Sequence, residues 1–94
     1  MDATKTLRAT ELLTTLRTVG WTNAQFWEAK QLMDSVSYNE GSNDDAFINL
    51  LFVWSDVESD RIACGEHDKC DDLLAAELDA KWPVRPTHNG RHWA

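Results

Sequence analysis

The stretch Trp21-Thr22-Asn23-Ala24-Gln25-Phe26 constrains the fold more than any other part of the chain. Thr22 and Gln25 have the spacing of a capping box. The threonine hydroxyl accepts from the Gln25 backbone N–H, and the Gln25 side chain reaches back to the Thr22 backbone. Trp21 and Phe26 flank this box at the positions of a hydrophobic staple, so a helix starts here with a defined entry angle. Phe26, Ala29, Met33 and Val36 then recur at helical spacing. They predict a helix of about four turns, ending in the loop Ser37-Tyr38-Asn39-Glu40-Gly41.

The same grammar predicts three more helices. Ala9, Leu12, Leu13, Leu16 and Val19 form a stripe that Gly20 terminates, with Thr4 and Thr10 as alternative starts. Ser42-Asn43-Asp44-Asp45 opens a third helix whose face is Phe47, Leu50, Leu51, Trp54 and Val57. Ile48, Phe52 and Val53 widen that face almost all round, which places this helix at the centre of a bundle. Phe, Ile, Val and Trp suit a buried strand equally well. The acidic cap and the run through Arg61, Ile62 and Cys64 to Gly65 favour helix over 46–54. The fourth is expected from near Asp68 to Trp82, with Cys70, Leu74, Leu78 and Trp82 as its seam, Leu73 and Ala80 beside it, and Pro83 as its stop. The expectation is an all-α bundle of about four helices over residues 1–82. Residues 83–94 read as an irregular basic tail with a turn at Asn89-Gly90 and Trp93 as an anchor back onto the bundle.

A chain of 94 residues supports one core. Its longest nearly apolar run, Ala46 to Trp54, falls well short of the roughly 20 residues that span a bilayer. Met1 to Arg8 carries no apolar signal core, and two cysteines without a signal peptide point to reduced thiols in a cytoplasm.

Charge is distributed unevenly. The chain has 16 acids and 9 bases, but residues 31–80 hold thirteen of the acids and only two of the bases, Arg61 and Lys69. Such a concentration repels itself and steers basic partners. On the predicted helices Asp56 and Asp60 lie one turn apart, as do Asp68 and Asp72, with Glu58, Glu66, Asp71, Glu77 and Asp79 around them. Asp44/Asp45 and Asp71/Asp72 read as helix-start charges rather than paired catalytic carboxylates, because adjacent helical residues diverge by about 100°. Direct nucleic-acid binding is disfavoured, since no basic patch interleaved with aromatics occurs outside the tail.

Enzymatic chemistry finds no support: the chain has no G-x-S-x-G elbow, H-E-x-x-H, phosphate-binding glycine loop or dinucleotide fingerprint. No cofactor is expected. Cys64, His67 and Cys70 with His88 or His92 outline a zinc set, but the two cysteines are spaced too widely for a knuckle-type site. Both cysteines also fit helix seams, where free thiols pack as small hydrophobes. Trp27 diverges from the Phe26 stripe toward Lys30 and Asp34. There it either packs against a neighbouring helix or anchors an interface.

Carboxylates on a rigid helix can occupy a cationic groove in which another protein holds phosphates, because arginine pairs with either anion bidentately. The favoured expectation is therefore a non-enzymatic inhibitor or decoy. Its partner is a protein with a basic, nucleic-acid-handling surface. The residues expected to bind it are Asp56, Glu58, Asp60, Asp68, Asp71, Asp72 and Trp27. Small acidic inhibitors made by phages and mobile elements, anti-CRISPR proteins among them, are similar in size and charge, though no motif in the chain identifies such a family. The alternatives are a zinc-stabilised regulator using the Cys/His set, and a plain assembly or antitoxin-like subunit whose acidity serves solubility.

Overall fold

Residues 46–54, compatible by composition with a strand, are helical throughout in a computed structural model, which describes residues 2–65 and 70–84. Asp44 decides this locally: its carboxylate accepts from the Ala46 and Phe47 backbone N–H groups at 2.9 and 3.3 Å. The described residues form α1 (Ala3–Thr18), α2 (Asn23–Asp34), α3 (Tyr38–Ser42), α4 (Asp45–Ala63) and α5 (Asp72–Lys81), with no strand among them. The all-α expectation holds, with one more helix than expected.

The extra helix is α3, in the stretch read as a loop. Ser37 and Glu40 repeat the capping-box chemistry of Thr22 and Gln25: the Ser37 hydroxyl accepts from the Glu40 N–H, and Glu40 Oε1 accepts from the Ser37 N–H. Helix α1 also starts earlier than either threonine allows. Asp2 caps it by accepting from Thr4 N–H at 2.9 Å. Thr10, Thr14, Thr15 and Thr18 instead donate to carbonyls one turn back, as interior helical residues do. Val19, assigned to the buried stripe, is 83% exposed because the helix ends at Thr18, two residues before Gly20 at φ 83°. Helix α5 begins at Asp72 behind its cap Asp71, and Asp68 lies outside the described residues. So does Trp93, with the rest of 85–94.

Helix α2, not α4, is the enclosed one. It packs against α1, α4 and α5, while α4 also packs against α1 and α3. Eight of the twelve residues of α2 are buried, against three of nineteen in α4. The apolar part of this core joins Leu12 and Leu13 of α1 to Phe26, Leu32 and Met33 of α2 and to Phe47, Leu50 and Trp54 of α4. Trp54 stacks on Phe26 with ring centroids 4.8 Å apart, and its indole N–H donates to the Phe26 carbonyl at 3.0 Å.

Four of the buried residues of α2 are polar, and each is satisfied by a specific partner. Lys30 donates to both carboxylate oxygens of Asp34 at 3.0 and 3.2 Å. Gln31 donates to Asp79 Oδ1 and to the Trp82 carbonyl, at 2.8 and 3.1 Å. Glu28 binds the Arg8 guanidinium through both oxygens at 2.7 and 2.9 Å, accepts from the Trp82 indole N–H at 3.0 Å, and pairs with Lys81 Nζ at 2.9 Å. One carboxylate thus ties α2 to α1 and to the end of α5. Burial pushes the Glu28 carboxyl upward, but the hydrogen bonds from Arg8, Trp82 and Lys81 outweigh it and bring it down to about 2.

Candidate functional site

A helix turns about 100° per residue, so Asp45, Asn49, Phe52, Asp56 and Ser59 fall along one side of α4, with Asp60 at its edge. All six are exposed. Phe52, 66% exposed, sits in the middle of this face with Asp45 two turns before it and Asp56 one turn after it. Glu58 lies about 200° round from Asp56 and is half-buried, so it does not share the face.

Arg61 is the sole base in α3 and α4. Its guanidinium carbon sits 4.1 Å from the centre of the Phe26 ring, and its Nη2 donates to Asn23 Oδ1 at 2.7 Å. The cation is turned toward α2, away from the Asp45–Phe52–Asp56 side.

Tertiary structure divides the other acids by duty. Asp34 is fully buried against Lys30, and Asp44 caps α4 while accepting from the Thr6 hydroxyl at 2.8 Å. Glu40 completes the α3 capping box, and Asp79 holds Gln31. Asp71, expected to bind a partner, accepts from Leu74 N–H at 2.8 Å as the cap of α5. Asp72 is exposed in the first turn of α5, a helix whose principal packing partner is α2. Of the expected binding carboxylates, the fold therefore groups Asp56 and Asp60 on one face, adds Asp45, and assigns Asp71 to capping. Phe52 and Asp45 were missed. Their register with Asp56 is legible in the numbering, but an apolar-all-round helix does not show which side faces outward.

Trp27 is half-buried. It packs edge-on against Phe26 with centroids 5.0 Å apart and lines a cleft of ≈ 270 Å³ with Lys30, Gln31, Cys70, Ala75 and Leu78. Its buried indole N–H has no hydrogen-bond partner among the described residues.

The cysteine expectation needs correction. Both thiols are exposed: Cys64 is the C-cap of α4, and Cys70 precedes the α5 cap instead of joining its seam. Cys64 is left outside because α4 ends at Ala63, and Cys70 because α5 starts only at Asp72 behind its cap Asp71. Both thiols are accordingly expected to react with a disulfide reagent such as DTNB in native buffer at rates close to those in denaturant. Protection of either by about tenfold or more would place it in a packed environment. No group of three His, Cys, Asp or Glu side chains able to hold a metal occurs among the described residues, and His67, His88 and His92 lie outside them.

Fold and site define a small all-α domain that carries an acidic helix face centred on an exposed aromatic ring. Comparison with protein-family models, with curated proteins and with solved structures finds no match.

Proposed function

We propose that this chain is a non-enzymatic acidic binding protein that occupies a basic, nucleic-acid-handling surface of another protein, as an inhibitor or decoy. One observation carries the reading: Asp45, Asp56 and Asp60 stand exposed on one side of α4, while the sole base of that helix is turned onto Phe26. A helix side with carboxylates and no base of its own among the described residues of α4 attracts arginine and lysine at long range and repels nucleic acid. Asp56 and Asp60, at i and i+4, also repel each other by a few tenths of a kcal/mol. A cationic partner turns that repulsion into attraction. Phage- and mobile-element-encoded inhibitors, anti-CRISPR proteins included, are similar in size and charge by general character only.

The test is a salt-dependent competition on a partner captured from host lysate. Nucleic acid is expected to displace the chain, and the association rate to fall steeply as the screening length shortens to about 8 Å near physiological salt. The variant Asp45→Asn/Asp56→Lys/Asp60→Lys should lose affinity about tenfold or more, whereas Glu11→Lys/Thr14→Lys on α1 should change it less than about threefold. Melting of the triple variant should stay within about 0.5 kcal/mol of wild type, because all three side chains are exposed. Salt-insensitive binding that leaves the partner's nucleic-acid occupancy unchanged would overturn the proposal.

A further inference from the structure

Beside the acidic face, α3 and α4 enclose a groove of ≈ 240 Å³. Ile48 and Leu51 of α4 line it, and Tyr38 and Phe52 stand at its rim, 75% and 66% exposed. Two large aromatic rings thus stand in water beside an apolar floor. Such clusters mark interaction surfaces. The charges around the groove narrow the occupant. Phe52 lies between Asp45 and Asp56, which are about 16 Å apart along the helix axis at 1.5 Å per residue. Neither α3 nor the outward side of α4 offers a base.

We infer that the groove receives an aliphatic or aromatic side chain from a partner-protein segment with arginine or lysine on both sides of it, the carboxylates of Asp45 and Asp56 engaging those cations. The inference rests on the acidic-face reading for the partner's charge and adds an apolar anchor that a phosphate-like surface alone would not have. A purely electrostatic decoy binds any cationic groove. Phe52 and Tyr38 make binding selective for a particular sequence, since a buried aromatic anchor carries much of the energy of an interface while rim charges set the encounter rate.

Three synthetic helical 15-residue peptides test this against the full chain by calorimetry and amide-resolved NMR. The first carries two leucines at i and i+4 between pairs of arginines about 16 Å apart, matching the acidic spacing. The second replaces the leucines by serine, and the third replaces the arginines by glutamate. The first should bind and shift the amides of Tyr38, Ile48 and Phe52, with the others at least about tenfold weaker. Phe52→Ser should cost about thirtyfold toward the first peptide and little toward the second, and Phe52→Leu should restore most of the loss. Equal binding of the first two peptides, unchanged by Phe52→Ser, would overturn the groove while leaving the acidic face standing. Retention of the first peptide by Asp45→Asn/Asp56→Lys/Asp60→Lys would instead overturn the acidic face. Equal binding of the first and third, binding of none, or peptide-free dimerisation that shifts these same amides would each overturn the proposed occupant.

Discussion

Glu28→Ala is expected to destabilise the domain by about 3 kcal/mol, the magnitude found when one member of a buried charge network is removed. The substitution strands the Trp82 indole N–H in a buried site and releases the Arg8 guanidinium and the Lys81 ammonium from their shared carboxylate. Loss should appear first in α5, whose principal contact is α2 and whose C-terminal end Glu28 holds. Native-state hydrogen exchange should therefore show α5 amides opening below the global unfolding free energy, while those of α1 and α4 stay near it. The same carboxylate sets an acid limit. Its folded pKa, about 2, lies below the ordinary value of 4.5, so the folded state binds fewer protons. The Glu28 contribution is complete above about pH 4.5 and is lost progressively as the pH falls toward 2. Urea titrations at pH 7, 4.5 and 3 should show wild-type stability falling more steeply in the last interval than that of Glu28→Ala. Parallel curves for the two proteins would show that the Glu28 carboxyl titrates alike in the folded and unfolded states and adds no pH-dependent stability.

Phe26→Ala is expected to cost about 4 kcal/mol, within the usual range for a large aromatic removed from a closed core. Phe26 is 1% exposed and is contacted on three sides: by the stacked Trp54 ring, by the edge of Trp27, and by the Arg61 guanidinium at 4.1 Å. Deleting the ring opens a cavity where α2 meets α4. It also removes the surface that holds Arg61 away from the acidic face. With total stabilities of domains this size near 5–15 kcal/mol, a loss of this size should lower the urea midpoint and the melting temperature markedly. Phe52→Ser, a loss of the same ring from an exposed position on α4, should cost less than about 1 kcal/mol. Thermal and urea melts of the pair make the comparison. A Phe26→Ala loss below about 1.5 kcal/mol would show that the site collapses without cost and that Trp54 alone organises this part of the core.

The acidic-face reading and the fold are physically linked. Five acids that contribute to the imbalance of residues 31–80 are engaged within the fold: Asp34, Glu40, Asp44, Asp71 and Asp79 make named hydrogen bonds or ion pairs through their carboxylates. Raw charge counting therefore does not show which carboxylates already serve the fold. What α4 offers is smaller and more shaped: three exposed carboxylates in register with an exposed ring.

Local chemistry by itself determined a large part of this protein. The Trp21–Phe26 stretch set the start of α2, and the capping box forms as its spacing requires. The acidic cap made 46–54 helical against its strand-like composition, and Pro83 follows the end of α5. The i, i+4 spacing was enough to bring Asp56 and Asp60 together, because both lie inside one helix. Tertiary structure decided what depends on partners distant in sequence. Glu28, Lys30, Gln31 and Asp34 are polar or charged, yet they are buried. Glu28 finds Arg8, Lys81 and Trp82, and Gln31 finds Asp79, on other helices. Burial of a charge is favourable only when such partners arrive, and no local pattern encodes their arrival. The same reason makes α2 the enclosed helix and leaves the more apolar α4 with an outward side. Phe52 faces solvent because α1, α2 and α3 cover the other sides of α4, and only packing could choose which side that would be.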